Sequence, residues 1–264
     1  MALQLIEKMA VEDEGEGDAV VCVHGLGGTG NTFTPLMGAL SRHRVVRLDL
    51  PGSGRSHAAM PGPLTIERLV DALQAVCARL ALPRAHFVAH SMGTIVCQHV
   101  AASEPRRVRS LALFGPLIAP PEPARAAIRA RAAKAREGAA GMQEITEALL
   151  KAAVSNDTRE RQPVAVGFVR ESLMRQDGDA YARSCEALAE APAAAVERIE
   201  APTLLVTGDE DGVAPPQSVR AMADRLQSVR DKRVVVLPRC GHWTPVERSE
   251  ECTRELRGFL ASHH

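Results

Sequence analysis

The chain has 264 residues, 45% of them hydrophobic, and balances 32 basic against 32 acidic side chains. A formal net charge of zero and a pI near 7.1 exclude the electrostatic footprint of a nucleic-acid or anionic-membrane binder, and 3% aromatic content offers no base-stacking platform. The length suits one large α/β domain or two small ones, either able to bury a substantial core.

In chain order, Leu3 to Val11 reads as a first strand, followed by a solvated acidic turn at Glu12–Asp18. Ala19–Val23 is a continuous apolar strand of the kind buried on both faces of a parallel sheet. It runs into His24-Gly25-Leu26-Gly27-Gly28-Thr29-Gly30, with a helix expected from about Thr34 to Ser41. Arg44–Leu50 is the next strand, then a Pro- and Gly-rich loop through Ser56. Thr65 can cap a helix to Leu80, with Ile66, Leu69, Val70, Leu73 and Val76 on its apolar face. A strand at Phe87-Val88-Ala89-His90, a helix after Ser91 and a strand at Val108–Phe114 follow. This alternation implies a parallel sheet with helices on both faces. From Pro120 to about Glu200 no strand is evident, and helices fit Pro123–Glu137, Met142–Ala153, Thr158–Met174 and Asp179–Glu190. The rhythm resumes with a strand at Pro202–Thr207, a helix at Pro216–Leu226, a strand at Arg233–Leu237 and a helix at Val246–Leu260. The closing Ser262-His263-His264 reads as unstructured.

The six cysteines (Cys22, Cys77, Cys97, Cys185, Cys240 and Cys252) show neither a CxxC pair nor zinc-like spacing, so they read as free, apolar residues. With no signal-peptide core and no apolar run near the roughly 20 residues that span a bilayer, a cytoplasmic setting is expected, with no membrane or nucleic-acid partner.

Gly25-x-Gly27-x-x-Gly30, with Asp49 further on, formally fits a dinucleotide-binding turn. Pro35 argues against it, because a helix begun within the glycines would place proline in its second turn. The other reading is an oxyanion loop, whose glycines let the backbone approach a substrate and whose Leu26 N–H acts with Met92 N–H.

Ser91 sits at a strand-to-helix turn between the small residues Ala89 and Gly93, which marks it as a nucleophile candidate or a simple capping serine. A serine nucleophile needs a histidine base oriented by a carboxylate. His242, in the loop after the last apolar strand, suits the base. Asp211, in Asp211-x-x-x-Pro215, suits the acid, with Asp209 in reserve. The order Ser91, Asp211, His242 is that of the α/β-hydrolase triad.

These motifs, with Asp49-x-Pro51-Gly52-x-Gly54-x-Ser56 and Gly241-His242, strongly resemble the α/β-hydrolase fold superfamily. The resemblance implies an eight-stranded, mostly parallel sheet with helices on both faces, and a helical cap between strands six and seven. Residues 1–117 and 200–264 would form the core and 118–199 the cap. Ala89 and Thr94 replace glycines common in the family. Within it the chain looks most like 3-oxoadipate enol-lactonases and small carboxylesterases, from Gly141-Met142…Ile145 and Tyr181-Ala182…Cys185-Glu186-Ala187-Leu188, although Lys151-Ala152-Ala153 stands where a Trp-Phe pair is expected.

The expected activity is hydrolysis of a small-molecule ester or lactone through an acyl-enzyme, without metal or organic cofactor, by a monomer or homodimer. Carbon–carbon bond hydrolysis and cofactor-free perhydrolysis use the same triad, and a hydrolase-fold receptor is the non-enzyme alternative. Gly25, Gly27, His90, Phe114, Leu117, Phe168, Met174, Tyr181 and Trp243 are candidate pocket residues. The arginines of the helical segment either bind a substrate carboxylate or form a solvated face.

Overall fold

The structure, a computed structural model, describes residues 2–263. Eight strands run in chain order: β1 (Ala2–Ile6), β2 (Met9–Glu14), β3 (Ala19–Val23), β4 (Arg44–Leu48), β5 (Ala85–His90), β6 (Val108–Phe114), β7 (Thr203–Gly208) and β8 (Lys232–Leu237). They join one sheet in the order β1-β2-β4-β3-β5-β6-β7-β8. β2 pairs antiparallel with β1 and β4, and every other pairing is parallel. The continuous apolar runs have become the central strands, as expected where helices cover both faces.

The sequence predicts a single first strand, but the chain reverses at Glu7-Lys8, where both residues adopt positive φ (51° and 65°), and returns as β2. This is a two-residue hairpin turn made without the Asn-Gly or Gly-Gly that usually announces one.

Eleven α-helices occur among the described residues: α1 (Met37–Leu40), α2 (Ile66–Arg79), α3 (Met92–Ser103), α4 (Glu122–Ala135), α5 (Ala139–Ala153), α6 (Asn156–Arg161), α7 (Pro163–Met174), α8 (Gly178–Ala189), α9 (Pro216–Arg225), α10 (Thr244–Glu247) and α11 (Ser249–Ala261). Helices α2, α3 and α9 pack in one apolar cluster against one face of the sheet, and α1 and α11 pack against the other. Thr65 caps α2 through the Arg68 amide, as its sequence position suggests.

Three predicted helices are broken or shifted. Before α1, a 3-10 stretch at Gly30–Leu36 contains Pro35, and a capping box between Thr29 and Thr32 starts the coil earlier than expected. The predicted Thr158–Met174 helix divides at Gln162, because Pro163 forces its predecessor out of helical geometry (φ −126°, ψ 68°). The last helix divides at Arg248, whose guanidinium reaches back to Asp157 and to the carbonyls of Pro238, Arg239 and Glu247. At the C-terminus, Ser262 caps α11 and His263 bonds Phe259 O and Asp231, while His264 lies outside the described residues.

Helices α4–α8 follow β6 and precede β7, and small residues let them pack closely. A Cβ on Gly141 would lie 2.0 Å from Lys134 O, and one on Gly178 would lie 2.4 Å from Ala135 O. This layer leans on the carboxyl edge of the sheet, where Ser172 and Gln176 donate to Gly27 O and Ala153 O accepts from His242 N. No helix of the described residues is long and apolar enough to cross a membrane.

Two glycine substitutions test the packing in opposite directions. A Cβ at Gly93 would sit 2.2 Å from Val23 O, and one at Gly167 would meet nothing within 4 Å. Gly93→Ala is expected to lose about 2 kcal/mol or more, and Gly167→Ala, in the interior of α7, to gain about 0.5–1 kcal/mol. Urea unfolding midpoints measure both.

Candidate active site

Ser91 joins β5 to α3 with φ 52° and ψ −124°, a backbone that L-residues with side chains rarely adopt. Its amide bonds Phe114 O at 3.0 Å and its carbonyl accepts from Thr94 Oγ1 at 2.6 Å, so the strained turn is held from both sides. The turn fits only because its neighbours lack side chains. A Cβ on Gly25 would lie 2.5 Å from Ser91 Cβ, and one on Gly93 would strike the β3 carbonyls. Ala89 is fully buried in the core, and Thr94 also accepts from Leu117 N at 3.2 Å. The Thr94 hydroxyl thus bridges the turn to the strand-six loop, work that a glycine could not do.

His242 Nε2 lies 2.8 Å from Ser91 Oγ, and its Nδ1 lies 2.9 and 3.1 Å from the two carboxylate oxygens of Asp211. A carboxylate accepts only, so Nδ1 carries the proton and Nε2 faces the serine hydroxyl as acceptor. Asp211 is itself buried, which acts to raise its pKa. The positive potential and hydrogen bond of His242, with the Ala214 and Val213 amides at 2.8 Å each, outweigh burial and keep it below the usual carboxylate range. Thr207 Oγ1 adds a 3.2 Å contact to Asp211 Oδ2. Asp209 is exposed and accepts from Cys240 N, so it does not face His242.

All these groups lie at the carboxyl ends of β3, β5, β7 and β8, where open parallel sheets build their sites. The His242 loop is fixed by groups that carry no motif. Glu247 is buried and accepts the amides of Ser155, Gly241 and Trp243. His90 Nε2 donates to His242 O at 2.9 Å. Gly115, at φ +55°, leaves room for the imidazole, since a Cβ there would sit 2.8 Å from His242 Cε1.

The glycine loop is pinned by His24. Leu50 N donates to its Nε2 at 2.9 Å, so Nδ1 bears the hydrogen and donates to Gly25 O at 2.8 Å. Asp49 takes up the Gly30 amide and an ion pair with Arg55, which accounts for its place after the glycines without a nucleotide. Gly25 packs against the Ser91 side chain and Met92 follows Ser91 directly, so the Leu26 and Met92 amides belong to the backbone adjoining the serine. Backbone N–H groups aimed at a developing oxyanion would stabilise it.

A cavity of about 220 Å³ opens onto Ser91 and His242, and Leu26, His90, Leu117, Tyr181 and Trp243 are in its wall. Gly25 packs directly on Ser91, whereas Gly27 (φ +75°) faces Leu173 and Tyr181 instead of the cavity. Three candidate pocket residues lie elsewhere. Phe114 ends β6 with its side chain on the opposite face, buried beside Phe33 and Val88, because strand residues alternate faces. Phe168 lines a separate outer groove with Arg55 and Glu171, and Met174, at the end of α7, is 38% exposed.

Such a serine–histidine–aspartate chain, set at the edge of a mostly parallel eight-stranded sheet, defines an alpha/beta hydrolase arrangement. The alpha/beta hydrolase fold family matches residues 18–249, and the chain belongs to it. A protein of Variovorax paradoxus (strain S110), provisionally named carbamate hydrolase RutD, is 30% identical over 259 residues, covering 95% of this chain and 94% of the relative. The structure of a thermophilic esterase from Thermogutta terrifontis superposes with TM-score 0.89 at 28% identity, over 97% of this chain and 94% of that one. That of the enol-lactonase from Burkholderia xenovorans LB400 gives TM-score 0.87 at 28% identity, over 98% and 100%.

Two predictions follow from the supports of the site. Glu247→Ala would strand three buried amides and is expected to cost about 3 kcal/mol in urea unfolding. Burial holds both His24 and His90 below the ordinary imidazole range, and His90, also repelled by His242, is pushed down to about 3. The unfolded chain binds these protons near 6.5, so the stability they confer is complete above that pH and is lost as pH falls toward 3. The thermal midpoint is expected to drop between pH 6.5 and about 4.5, above the carboxylate range. His90→Gln, which keeps a donor for the His242 carbonyl but takes up no proton, should shrink that drop.

Proposed function

We propose that this chain is a serine hydrolase that cleaves a small carboxylic ester or lactone through an acyl-enzyme. The observation that carries the reading is the unbroken hydrogen-bond chain from Ser91 Oγ through His242 to Asp211. Ser91 Oγ attacks the carbonyl carbon as His242 Nε2 takes its proton, and Asp211 stabilises the imidazolium. The Leu26 and Met92 amides receive the tetrahedral oxyanion, each such donor being worth about 3 kcal/mol of barrier. His242 then gives the proton to the leaving alkoxide. In the second half, His242 takes a proton from water, the hydroxide attacks the acyl carbon, and Ser91 leaves as the alcohol. Helices α4–α8 serve as a cap that roofs the pocket and excludes water.

The esterase and enol-lactonase neighbours support the ester or lactone class. A second reading, cleavage of a carbamate, draws on the name of the Variovorax relative and uses the same residues. Rates on phenyl acetate, 3-oxoadipate enol-lactone and a phenyl carbamate separate the classes.

A fluorophosphonate probe is expected to label Ser91 and no other residue. Ser91→Ala should lower turnover of phenyl acetate by roughly 10⁴-fold or more, and Asp211→Asn by about 10⁴-fold, since an amide no longer fixes the His242 tautomer. Ser91→Ala retaining the wild-type rate would sink this reading.

A further inference from the structure

The turn that carries the Leu26 amide is held from two directions. Gly28 N donates to Gly25 O at 3.0 Å, closing the four-residue turn Gly25-Leu26-Gly27-Gly28, and His24 Nδ1 donates to the same oxygen at 2.8 Å. Gly27, at the third position, has φ +75°, as a type II turn requires. These bonds fix the plane of the Gly25–Leu26 peptide through its oxygen, and a planar trans peptide points its N–H opposite to its C=O.

The second hold comes from the helical layer. Gly27 O accepts from Ser172 Oγ at 2.7 Å and from Gln176 Nε2 at 3.2 Å. Ser172 lies in the last turn of α7, and Gln176 lies in the link from α7 to α8. Leu173, between them, presses on the turn, since a Cβ on Gly27 would sit 2.5 Å from its Cδ2.

Gln176 is buried, and both ends of its amide are engaged. Nε2 also donates to Ser172 O at 2.8 Å, and Oε1 accepts from Gly54 N at 3.0 Å. The partners fix the orientation of this amide, because a backbone N–H only donates and a backbone carbonyl only accepts. One side chain thus joins the glycine turn, the Gly54 loop and the helical layer. The ion pairs of α7, by contrast, are exposed: Arg170 meets Glu147 of α5, and Arg175 meets Glu171 of its own helix. Exposed pairs of this kind fix geometry weakly.

We propose that Gln176, assisted by Ser172, is a positioning residue for hydrolysis: it holds the Gly27 carbonyl and, through the Gly25–Gly28 turn, keeps the Leu26 N–H aimed at the oxyanion. The catalytic half of this statement rests on the serine-hydrolase reading, while the latch itself is a statement about structure. Neither side chain touches the reacting atoms. A displacement of about 1 Å in a positioned group can cost about 10²-fold in rate. An oxyanion donor acts as charge develops in the transition state, so a loosened turn lowers kcat and spares KM.

The test combines phenyl acetate kinetics with amide hydrogen exchange across residues 24–30. Gln176→Glu keeps an acceptor for Gly54 N but turns an oxygen toward Gly27 O, and Gln176→Leu removes both contacts. Each is expected to lower kcat at least about tenfold with KM changed by less than about threefold, and to speed exchange across residues 24–30. Ser172→Ala should act in the same direction more weakly. Arg170→Ala cuts the exposed pair with Glu147 and should leave both kcat and exchange at wild-type values. Thermal midpoints establish that each variant is folded, and if Gln176→Leu is not, Gln176→Glu and Ser172→Ala decide the matter. A rise in KM with kcat unchanged, an equal loss of kcat in Arg170→Ala, or wild-type kcat in folded Gln176 variants overturns the positioning role. Ser91→Ala keeps the two ideas apart. If it is inactive while the Gln176 variants keep wild-type kcat, the positioning role alone falls. If it retains the wild-type rate, the hydrolase reading falls and takes the catalytic half with it, and the exchange rates alone decide the latch.

Discussion

The strained backbone of Ser91 is the constraint on which the rest of the site depends. With φ at 52°, the residue projects its hydroxyl away from the end of β5, and it holds that conformation only because strand and helix clamp it. Close approach is the cost of such a turn. Gly25 and Gly93 stand where any side chain would collide with the serine or with the β3 carbonyls, and Gly115 and Gly208 do the same for the His242 loop. Removing side chains at four separate positions lets the ends of β3, β5, β6, β7 and β8 share one small volume at the sheet edge.

Electrostatics sorts the ionisable groups around that turn into neutral and charged. His24 and His90 are neutral because burial opposes their protonation, and each uses its fixed tautomer to tether a backbone carbonyl, that of Gly25 or that of His242. Asp211 and Glu247 are buried acids met by amides, three on Glu247 and two on Asp211. The helical layer takes part as well. Ser172 and Gln176 hold Gly27, and Ala153 holds His242, so both loops beside Ser91 are anchored from above. Displacement of α5 or α7 would therefore move groups that touch the serine, and the roof of the cavity and the geometry below it are mechanically linked.

Much of this was legible in the chain. Continuous apolar runs announced the buried parallel strands, and the small residues around Ser91 announced a tight turn. The order Ser91, Asp211, His242 narrowed the base and acid to one residue each, with Asp209 as the rival carboxylate. Boundaries failed where a local signal was absent or outweighed. Glu7-Lys8 turns without glycine, Thr29 starts a 3-10 coil ahead of Pro35, and Pro163 and Arg248 divide runs whose apolar spacing looks continuous. Phe114, Phe168 and Met174 looked suited to a pocket by residue type alone, and residue type does not say which face of a strand or helix is turned inward.

By itself the sequence determined the fold class and the identity of the three residues now joined by hydrogen bonds, because periodicity and turn chemistry are local properties that the chain displays directly. Tertiary structure alone decided which side chains surround them. Gly115, Glu247 and Gln176 carry no motif, and their importance arises from contacts with partners far along the chain, such as Glu247 with Ser155 and Gln176 with Gly27. Arg131 and Tyr181 belong to the same category. Fifty residues and three intervening helices separate them in the chain, and only the packing of α4 against α8 sets them in one cavity wall.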